Sequence, residues 1–203
     1  MTGRFIAFEG GEGSGKSTQA RRLAERLGAL LTHEPGDTPL GASVRAILLD
    51  AADLEVTPRA EALLMAADRA QHVAEVIRPA LASGRTVVTD RYTPSSIAYQ
   101  GYGRQLDPRE VGELSAWATQ DLLPDLVLLL EVPLSVSQDR TGGARDRLEA
   151  AGPEFHRRVH DGFLQQAIAD PDRFAVIDGT QAADAVAAQV WDVVSLRFPD
   201  LPS

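Results

Sequence analysis

Short runs rich in apolar and β-branched residues alternate with longer amphipathic stretches along the chain. Such runs, four or five residues long, have the length and composition of strands. The run at 126–130 is apolar at every position, as in a strand buried on both faces of a parallel sheet. The predicted strands are residues 5–8, 29–32, 86–89, 126–130 and 174–177.

Between these runs, apolar side chains recur three and four positions apart, which is the period of one helix face. Ala20, Leu23, Ala24 and Leu27 form one such stripe, and Gly28 follows it where a helix C-cap is expected. Pro58 stands at the first turn of a longer helix. Beyond the helix that ends at Gly28, the predicted helices are residues 40–49, 58–82, 109–119, 153–169 and 182–198.

Five strands alternating with helices predict a three-layer α/β fold, with a five-stranded parallel sheet covered by helices on both faces. The 203 residues contain no repeat and no low-complexity linker, so we expect one domain over 1–203. A net charge of −9 argues against a protein that coats nucleic acid. No apolar run is long enough to span a bilayer, strand one leaves no room for a signal peptide, and cysteine is absent. We therefore expect a cytoplasmic enzyme without membrane or nucleic-acid partners.

One motif gives this pattern a chemistry. Residues 10–17 read Gly-Gly-Glu-Gly-Ser-Gly-Lys-Ser and match G-x-x-x-x-G-K-[ST], the phosphate-binding loop. The motif lies between a predicted strand and a predicted helix, which disfavours a chance glycine-rich turn. Its glycines let backbone N–H groups converge on phosphate oxygens, and the helix N-terminus favours negative charge. The residues predicted to bind ATP here are Gly10, Gly11, Glu12, Gly13, Ser14, Gly15, Lys16, Ser17 and Thr18.

Lys16 is the only lysine in the chain, and asparagine is absent. Arginine in place of lysine, together with the lack of asparagine, indicates a G+C-rich coding bias. The lysine that survives such a bias is expected where arginine cannot replace it. A compact ammonium fits between the β- and γ-phosphates of a nucleotide, whereas a planar guanidinium is wider.

Parallel α/β folds bind ligands at the carboxyl ends of their strands. Asp90 closes the strand at 86–89, where a carboxylate can order Mg²⁺ through its waters, and the Ser17 hydroxyl is the second predicted metal ligand. A strand-end Asp on its own is more often a turn residue, so this assignment depends on the phosphate loop. Arg91 follows Asp90 and would direct its guanidinium toward phosphate.

Three stretches resemble the thymidylate kinase family: residues 8–18, residues 67–72 (Ala-Asp-Arg-Ala-Gln-His), and Asp90-Arg91-Tyr92 with the Ser-Ser-Ile-Ala-Tyr-Gln at 95–100. The stretches at 34–36, 38–41 and 124–126 support the likeness, which is collinear over nearly the whole chain. The resemblance implies a P-loop NTPase-like fold, a homodimer, and the Mg²⁺-dependent reaction ATP + dTMP → ADP + dTDP.

The resemblance also implies a role for individual residues. Arg91 would hold the acceptor phosphate of dTMP, and Arg69 would donate to a thymine carbonyl. Ser96 and Gln100 would satisfy the remaining base edge. Tyr99 would lie against the deoxyribose, and Glu12 would face the 3′-hydroxyl and the metal region. The full predicted dTMP set is Glu12, Glu34, Pro35, Met65, Arg69, Arg91, Ser95, Ser96, Tyr99 and Gln100.

The chain departs from the family pattern in three places. His33 stands where members commonly carry Arg, and Glu131 stands where they often carry Asp. Met65 stands where they often carry a Phe that stacks on thymine; Met can cover a base face but lacks ring stacking.

Some family members carry an arginine inside the phosphate loop, whereas this chain has Glu12 there. Arginines instead surround a glycine-containing segment at about 140–150, which resembles the family's mobile lid. We expect Arg145 and Arg147 to reach the ATP phosphates and Arg140 to lie nearer the adenine. The predicted catalytic set is Lys16, Glu12, Arg91, Arg145 and Arg147.

Other functions are less consistent with these residues. Another small nucleotide or nucleoside kinase is the nearest alternative. The base-edge residues Arg69, Ser96 and Gln100 distinguish it from a thymidylate kinase. A GTP-binding switch would need an Asn-Lys-x-Asp motif, which a chain without Asn cannot contain. A purely structural P-loop protein is disfavoured because the phosphate-facing residues are chemically intact.

Overall fold

A computed structural model describes residues 3–50, 54–141 and 151–201. Within these ranges the five strands are β1 Phe5–Glu9, β2 Leu30–His33, β3 Val87–Asp90, β4 Leu126–Glu131 and β5 Phe174–Asp178. Each strand agrees with its prediction to within one residue at either end. The strands form an all-parallel sheet with the order β2-β3-β1-β4-β5.

The predicted helices are also present, and two of them, at 40–49 and 58–82, contain π-helical turns. The described helices are α1 Lys16–Leu27, α2 Pro39–Arg45, α3 Pro58–His72, α4 Arg78–Ala82, α5 Thr93–Ser96, α6 Pro108–Thr119, α7 Leu134–Thr141, α8 Pro153–Ala169 and α9 Ala183–Arg197. The π-helical segments are Ala46–Asp50 after α2, Val73–Ile77 between α3 and α4, and Ile97–Gly103 after α5.

The two helical segments that the sequence pattern did not predict are α7 and α5 with its π-helical continuation. Gly101 and Gly103 lower the helix propensity of the latter. Gly103 is needed there because an added Cβ would lie 2.7 Å from Phe155 Cε2 on α8. Close packing against α8 therefore decides the local structure against intrinsic propensity.

Alternate side chains of the central strands enter two different cores. Ile6 and Phe8 pack with α1 and α9, whereas Phe5 and Ala7 pack on the opposite face, toward Val73 and Ile77. All four β1 side chains are at most 1% exposed. Helices therefore cover both faces of the sheet, as predicted. Within the described residues, no helix is both long and apolar enough to cross a membrane.

Candidate active site

The phosphate-binding loop joins β1 to α1 at the carboxyl edge of the sheet. Its backbone adopts positive φ at Gly10 (142°), Gly13 (67°) and Gly15 (89°), a region that favours glycine. A Cβ on Gly10 would also lie 2.6 Å from the Leu130 carbonyl oxygen. Gly15 has no side chain to cap α1, so N–H groups of the first turn can bind an anion.

Lys16, the first residue of α1, lies inside this loop and is 6% exposed. Its Nζ donates to the Gly11 carbonyl oxygen at 3.3 Å and lies 3.7 Å from Glu12 Oε2. Burial and the Arg91 charge lower the pKa of Lys16, against the opposing effect of nearby carboxylates. The buried ammonium is thus placed to bind a strongly anionic ligand.

A cavity of about 450 Å³ opens beside the loop, a size suited to a small molecule. It brings together all ten residues predicted for dTMP, together with Lys16, Ser17 and Asp90. Three further lining residues were not assigned to a ligand from the sequence: His33, Arg45 and Leu49. Arg45 donates to the Pro35 carbonyl oxygen at 3.0 Å, but nothing in its exposed helical position distinguishes it locally from a surface arginine.

Arg91 lines the cavity and contacts the phosphate-binding loop. Its φ of 74° is a left-handed conformation that costs a non-glycine residue energy and is typical of functional sites. The guanidinium donates to the Gly10 carbonyl oxygen (3.2 Å), to Ser95 Oγ (2.9 Å), to Tyr99 Oη (3.1 Å) and to Glu12 Oε1. These contacts hold the guanidinium in one orientation beside the phosphate-binding loop.

Glu12 shows how the loop tolerates an acid. Burial alone would raise the pKa of Glu12, but the charges of Arg91 and Lys16 and a hydrogen bond from Tyr99 lower it to about 2. The Tyr99 hydroxyl lies 3.2 Å from Glu12 Oε1. Because burial raises the pKa of Tyr99, that hydroxyl stays protonated and able to donate. The cations that an acid among phosphates requires are therefore in place.

Arg69 also lines the cavity and is 2% exposed. Its Nε donates to Glu34 Oε2 (2.7 Å), Nη1 to Ser96 Oγ (2.9 Å) and Nη2 to the Tyr92 carbonyl oxygen (3.0 Å). Three of its five N–H donors are thus engaged, which leaves two for a ligand. Glu34 and Ser96, both predicted to contact dTMP, therefore also orient Arg69. Met65 lines the cavity from the same helix, α3.

The donor set near Lys16 fits a hydrated Mg²⁺. Among the described residues, Asp90 Oδ1 is buried and has no hydrogen-bond partner. Asp90 and Ser17 line the same cavity, one at the end of β3 and the other in the first turn of α1. Hard oxygen ligands and retained waters are what Mg²⁺ prefers.

Two further residues predicted to bind ATP, Thr18 and Arg140, do not line this cavity. Thr18 is exposed in the first turn of α1. Arg140, near the end of α7, donates to the carbonyl oxygens of Gly179 (2.9 Å), Thr180 (3.2 Å) and Gly13 (3.4 Å). Ser137, which no motif in the sequence marks, donates to the Glu12 carbonyl oxygen at 2.6 Å. Arg145 and Arg147 lie outside the described residues, so their role over ATP stays a prediction.

Glu9 is a buried carboxyl beneath this site. It accepts from Tyr92 N (2.8 Å) and Ser95 Oγ (2.6 Å), and its side chain supports the turn that carries Arg91. Burial raises the pKa of Glu9 from 4.5 to about 7, despite hydrogen bonds from Ser95 and Tyr92 and the nearby Arg91 and Arg69 charges, all of which lower it.

This raised pKa predicts a specific pH dependence of stability. The folded state holds the Glu9 proton more tightly, so the contribution of Glu9 to stability is full below pH 4.5 and is lost as the pH rises to about 7. The loss amounts to about 3 kcal/mol. Urea unfolding of wild type and Glu9→Gln across this window should show the wild type losing free energy of unfolding relative to the variant. Parallel stability curves would contradict the assignment.

The similarity of the chain to known proteins agrees with this geometry. A model of the thymidylate kinase family matches residues 8–190. The thymidylate kinase of Bifidobacterium longum is 50% identical over 198 residues, which cover 94% of this chain and 96% of the relative. That of Cutibacterium acnes is 48% identical over 195 residues, covering 94% and 95%.

A solved structure gives the same result in three dimensions. The crystal structure of thymidylate kinase from Ehrlichia chaffeensis matches this chain with a TM-score of 0.79 at 33% identity, covering 96% of this chain and 99% of that one. Sequence and fold thus agree over nearly the full length. The chain belongs to the thymidylate kinase family.

Proposed function

We propose that this cavity is where the chain carries out the reaction of its family, the phosphorylation of dTMP to dTDP, with ATP as the phosphoryl donor. One observation carries the assignment of the site. Phosphate-binding groups (Lys16 and Arg91) and a base-reading guanidinium (Arg69) line the same cavity. A nucleoside monophosphate would place its phosphate at the first group and its base at the second.

The acceptor phosphate binds at Arg91, beside the phosphate-binding loop, which holds the phosphates of ATP. An oxygen of the dTMP phosphate forms a bond to the γ-phosphorus while the bond to the β,γ-bridging oxygen breaks. The acceptor is already anionic, so the reaction needs no general base. Catalysis then consists of positioning and charge stabilisation, which Lys16 and Arg91 supply.

The sugar and base ends give selectivity. Tyr99, held between Glu12 and Arg91, lies against the deoxyribose and disfavours a 2′-hydroxyl. Glu12 faces the 3′-hydroxyl. Met65 covers the base, with an apolar side chain that can accept the 5-methyl group of thymine. Arg69 donates to a thymine carbonyl with its remaining N–H groups.

Ser17 and, through water, Asp90 hold Mg²⁺. When bound, the ion neutralises charge on the ATP phosphates. The support for this site is the buried, unpartnered Asp90 Oδ1 in the part of the chain that the structure describes.

Arg140 lies nearer the adenine, where its contacts to Gly179 and Thr180 bring it beside the end of β5. Arg145 and Arg147 close over the ATP phosphates and exclude water.

The enzyme works as a homodimer, which the family resemblance and two exposed apolar side chains on adjoining helices support: Leu63 on α3 and Trp117 on α6.

The direct test is product identification with ATP labelled in its γ-phosphoryl group. Incubation with Mg²⁺ and dTMP should put the label in the β-phosphate of dTDP. One labelled dTDP should form for each ADP released. Label found only in inorganic phosphate would mean a nucleotide hydrolase. Transfer to thymidine but not to dTMP would support the alternative, a deoxynucleoside kinase.

A further inference from the structure

A buried carboxylate lies behind the base end of the cavity, outside the set assigned above. Glu61, in the first turn of α3, is 0% exposed. Its Oε1 accepts a hydrogen bond from Gln100 Nε2 at 3.0 Å. Gln100 in turn is 1% exposed and lines the cavity.

Arg104 holds this carboxylate in place. Its Nε lies 3.1 Å from Glu61 Oε1 and 3.2 Å from Oε2, and its Nη2 donates to Oε2 at 3.1 Å. The guanidinium is fixed from its other side by the Phe155 ring, whose centroid lies 4.7 Å from Cζ. A buried charge paired this way keeps one orientation, since separating the pair would leave a charge uncompensated.

The pairing decides which way the Gln100 amide faces. An ionised carboxylate only accepts hydrogen bonds, and a glutamine amide has one donating end and one accepting end. The NH₂ group must therefore face Glu61, and the carbonyl oxygen is the end left for the cavity. A carbonyl facing Glu61 would place two acceptors in contact without a proton between them.

We propose that Glu61 is a positioning residue for base selection: by fixing the Gln100 amide, it makes the cavity select a base that has an N–H group at its ring N3. Thymine and uracil carry a hydrogen on N3 between two carbonyl groups, whereas cytosine has a lone pair on N3. An acceptor from Gln100 and a donor from Arg69 complement the thymine edge and mismatch the cytosine edge. The inference rests on the proposed function, because it takes dTMP as the occupant of the cavity.

The cost of the wrong base follows from the burial of these groups. With cytosine in place, the Gln100 carbonyl would face the N3 lone pair, and the Arg69 donors would face an amino group. A site built around buried hydrogen-bonding groups discriminates strongly, because the mismatched ligand leaves those groups unpaired. Base selection then depends on a residue that does not itself contact the base.

Glu61→Gln tests this role. The variant keeps the shape of the side chain, but its amide can donate as well as accept. The side-chain amide of Gln100 can therefore adopt either orientation. The ratio of kcat/KM for dTMP to kcat/KM for dCMP, at saturating ATP, should fall by at least about tenfold, a difference of about 1.4 kcal/mol. The loss should appear in KM for dTMP and in new use of dCMP, with kcat for dTMP largely retained.

Glu113→Gln is the matched control, because Glu113 also pairs with an arginine (Arg109, 3.6 Å) but on the exposed face of α6. It should leave the dTMP-to-dCMP ratio unchanged. A ratio within twofold of wild type for Glu61→Gln would overturn the proposal, whatever happens to stability or to overall rate, because a merely structural role predicts that result.

Gln100→Met keeps the proposal testable if Glu61→Gln does not fold. It removes the amide and leaves the pair between Glu61 and Arg104 in place. It should lower the same ratio at least tenfold, and an unchanged ratio would overturn the proposal. A wild type that does not phosphorylate dTMP would instead refute the proposed function, so the two failures are distinguishable.

Discussion

Lys16→Ala should lower kcat by about 10²-fold or more, because it removes a preorganised donor worth ~3 kcal/mol to the charge that develops on the transferred group. Lys16→Arg should not restore the rate. Lys16 is 6% exposed, and its ammonium donates to the Gly11 carbonyl oxygen, 3.3 Å away. The planar guanidinium of an arginine does not reproduce the compact charge of an ammonium at this position. Steady-state kinetics at saturating ATP and dTMP measures both variants.

Arg21→Ala is the matched control for Lys16, since Arg21 is a cation on the exposed side of the same helix. Its kcat should stay within about twofold of wild type, well under 1 kcal/mol. Near-normal turnover by Lys16→Arg would contradict the interpretation that lysine is kept at this position because arginine cannot replace it.

Arg91→Lys should lower kcat/KM for dTMP by about 10²- to 10³-fold, even though it retains a positive charge. The guanidinium contacts the Gly10 carbonyl, Ser95, Tyr99 and Glu12 simultaneously. An ammonium has fewer donors, and their arrangement does not allow it to make these contacts and bind a phosphate as well. The effect should be specific to the phosphate. Calorimetric titration should show dTMP affinity falling toward that of thymidine, while thymidine binding changes little.

Retained thymidine binding also shows that the variant is folded. Arg109→Lys, at a surface position with 81% side-chain exposure, is the control for exchanging arginine for lysine. Equal losses of thymidine and dTMP affinity in Arg91→Lys would mean that Arg91 shapes the cavity and does not bind the phosphate.

The fold and most of the cavity could be predicted because their signals are local. Each strand is a short apolar run, and the phosphate-binding loop is contiguous in sequence. Asp90 ends β3 and Arg91 follows it directly, so the parallel topology brings them to the same edge as the loop. The family resemblance supplied the residues that lie on helices, such as Met65 and Arg69.

Contacts between distant segments could not be predicted in this way. Glu61 meets Gln100 and Arg104 across 39 and 43 positions, and no periodicity or motif links them. Ser137 reaches the Glu12 carbonyl across 125 positions. Likewise, the segment around Gly103 is helical because of its packing on α8, a tertiary effect that a residue-by-residue pattern does not carry.

The central claim is that this cavity reads thymine on a 2′-deoxyribose monophosphate. A coupled assay of ADP release with ATP, Mg²⁺ and each nucleoside monophosphate in turn tests it most directly. We predict that dTMP has the highest kcat/KM and exceeds dUMP by about 10- to 200-fold, the value of one methyl group in an apolar pocket. Equal use of dTMP and dCMP by the wild type would contradict the account.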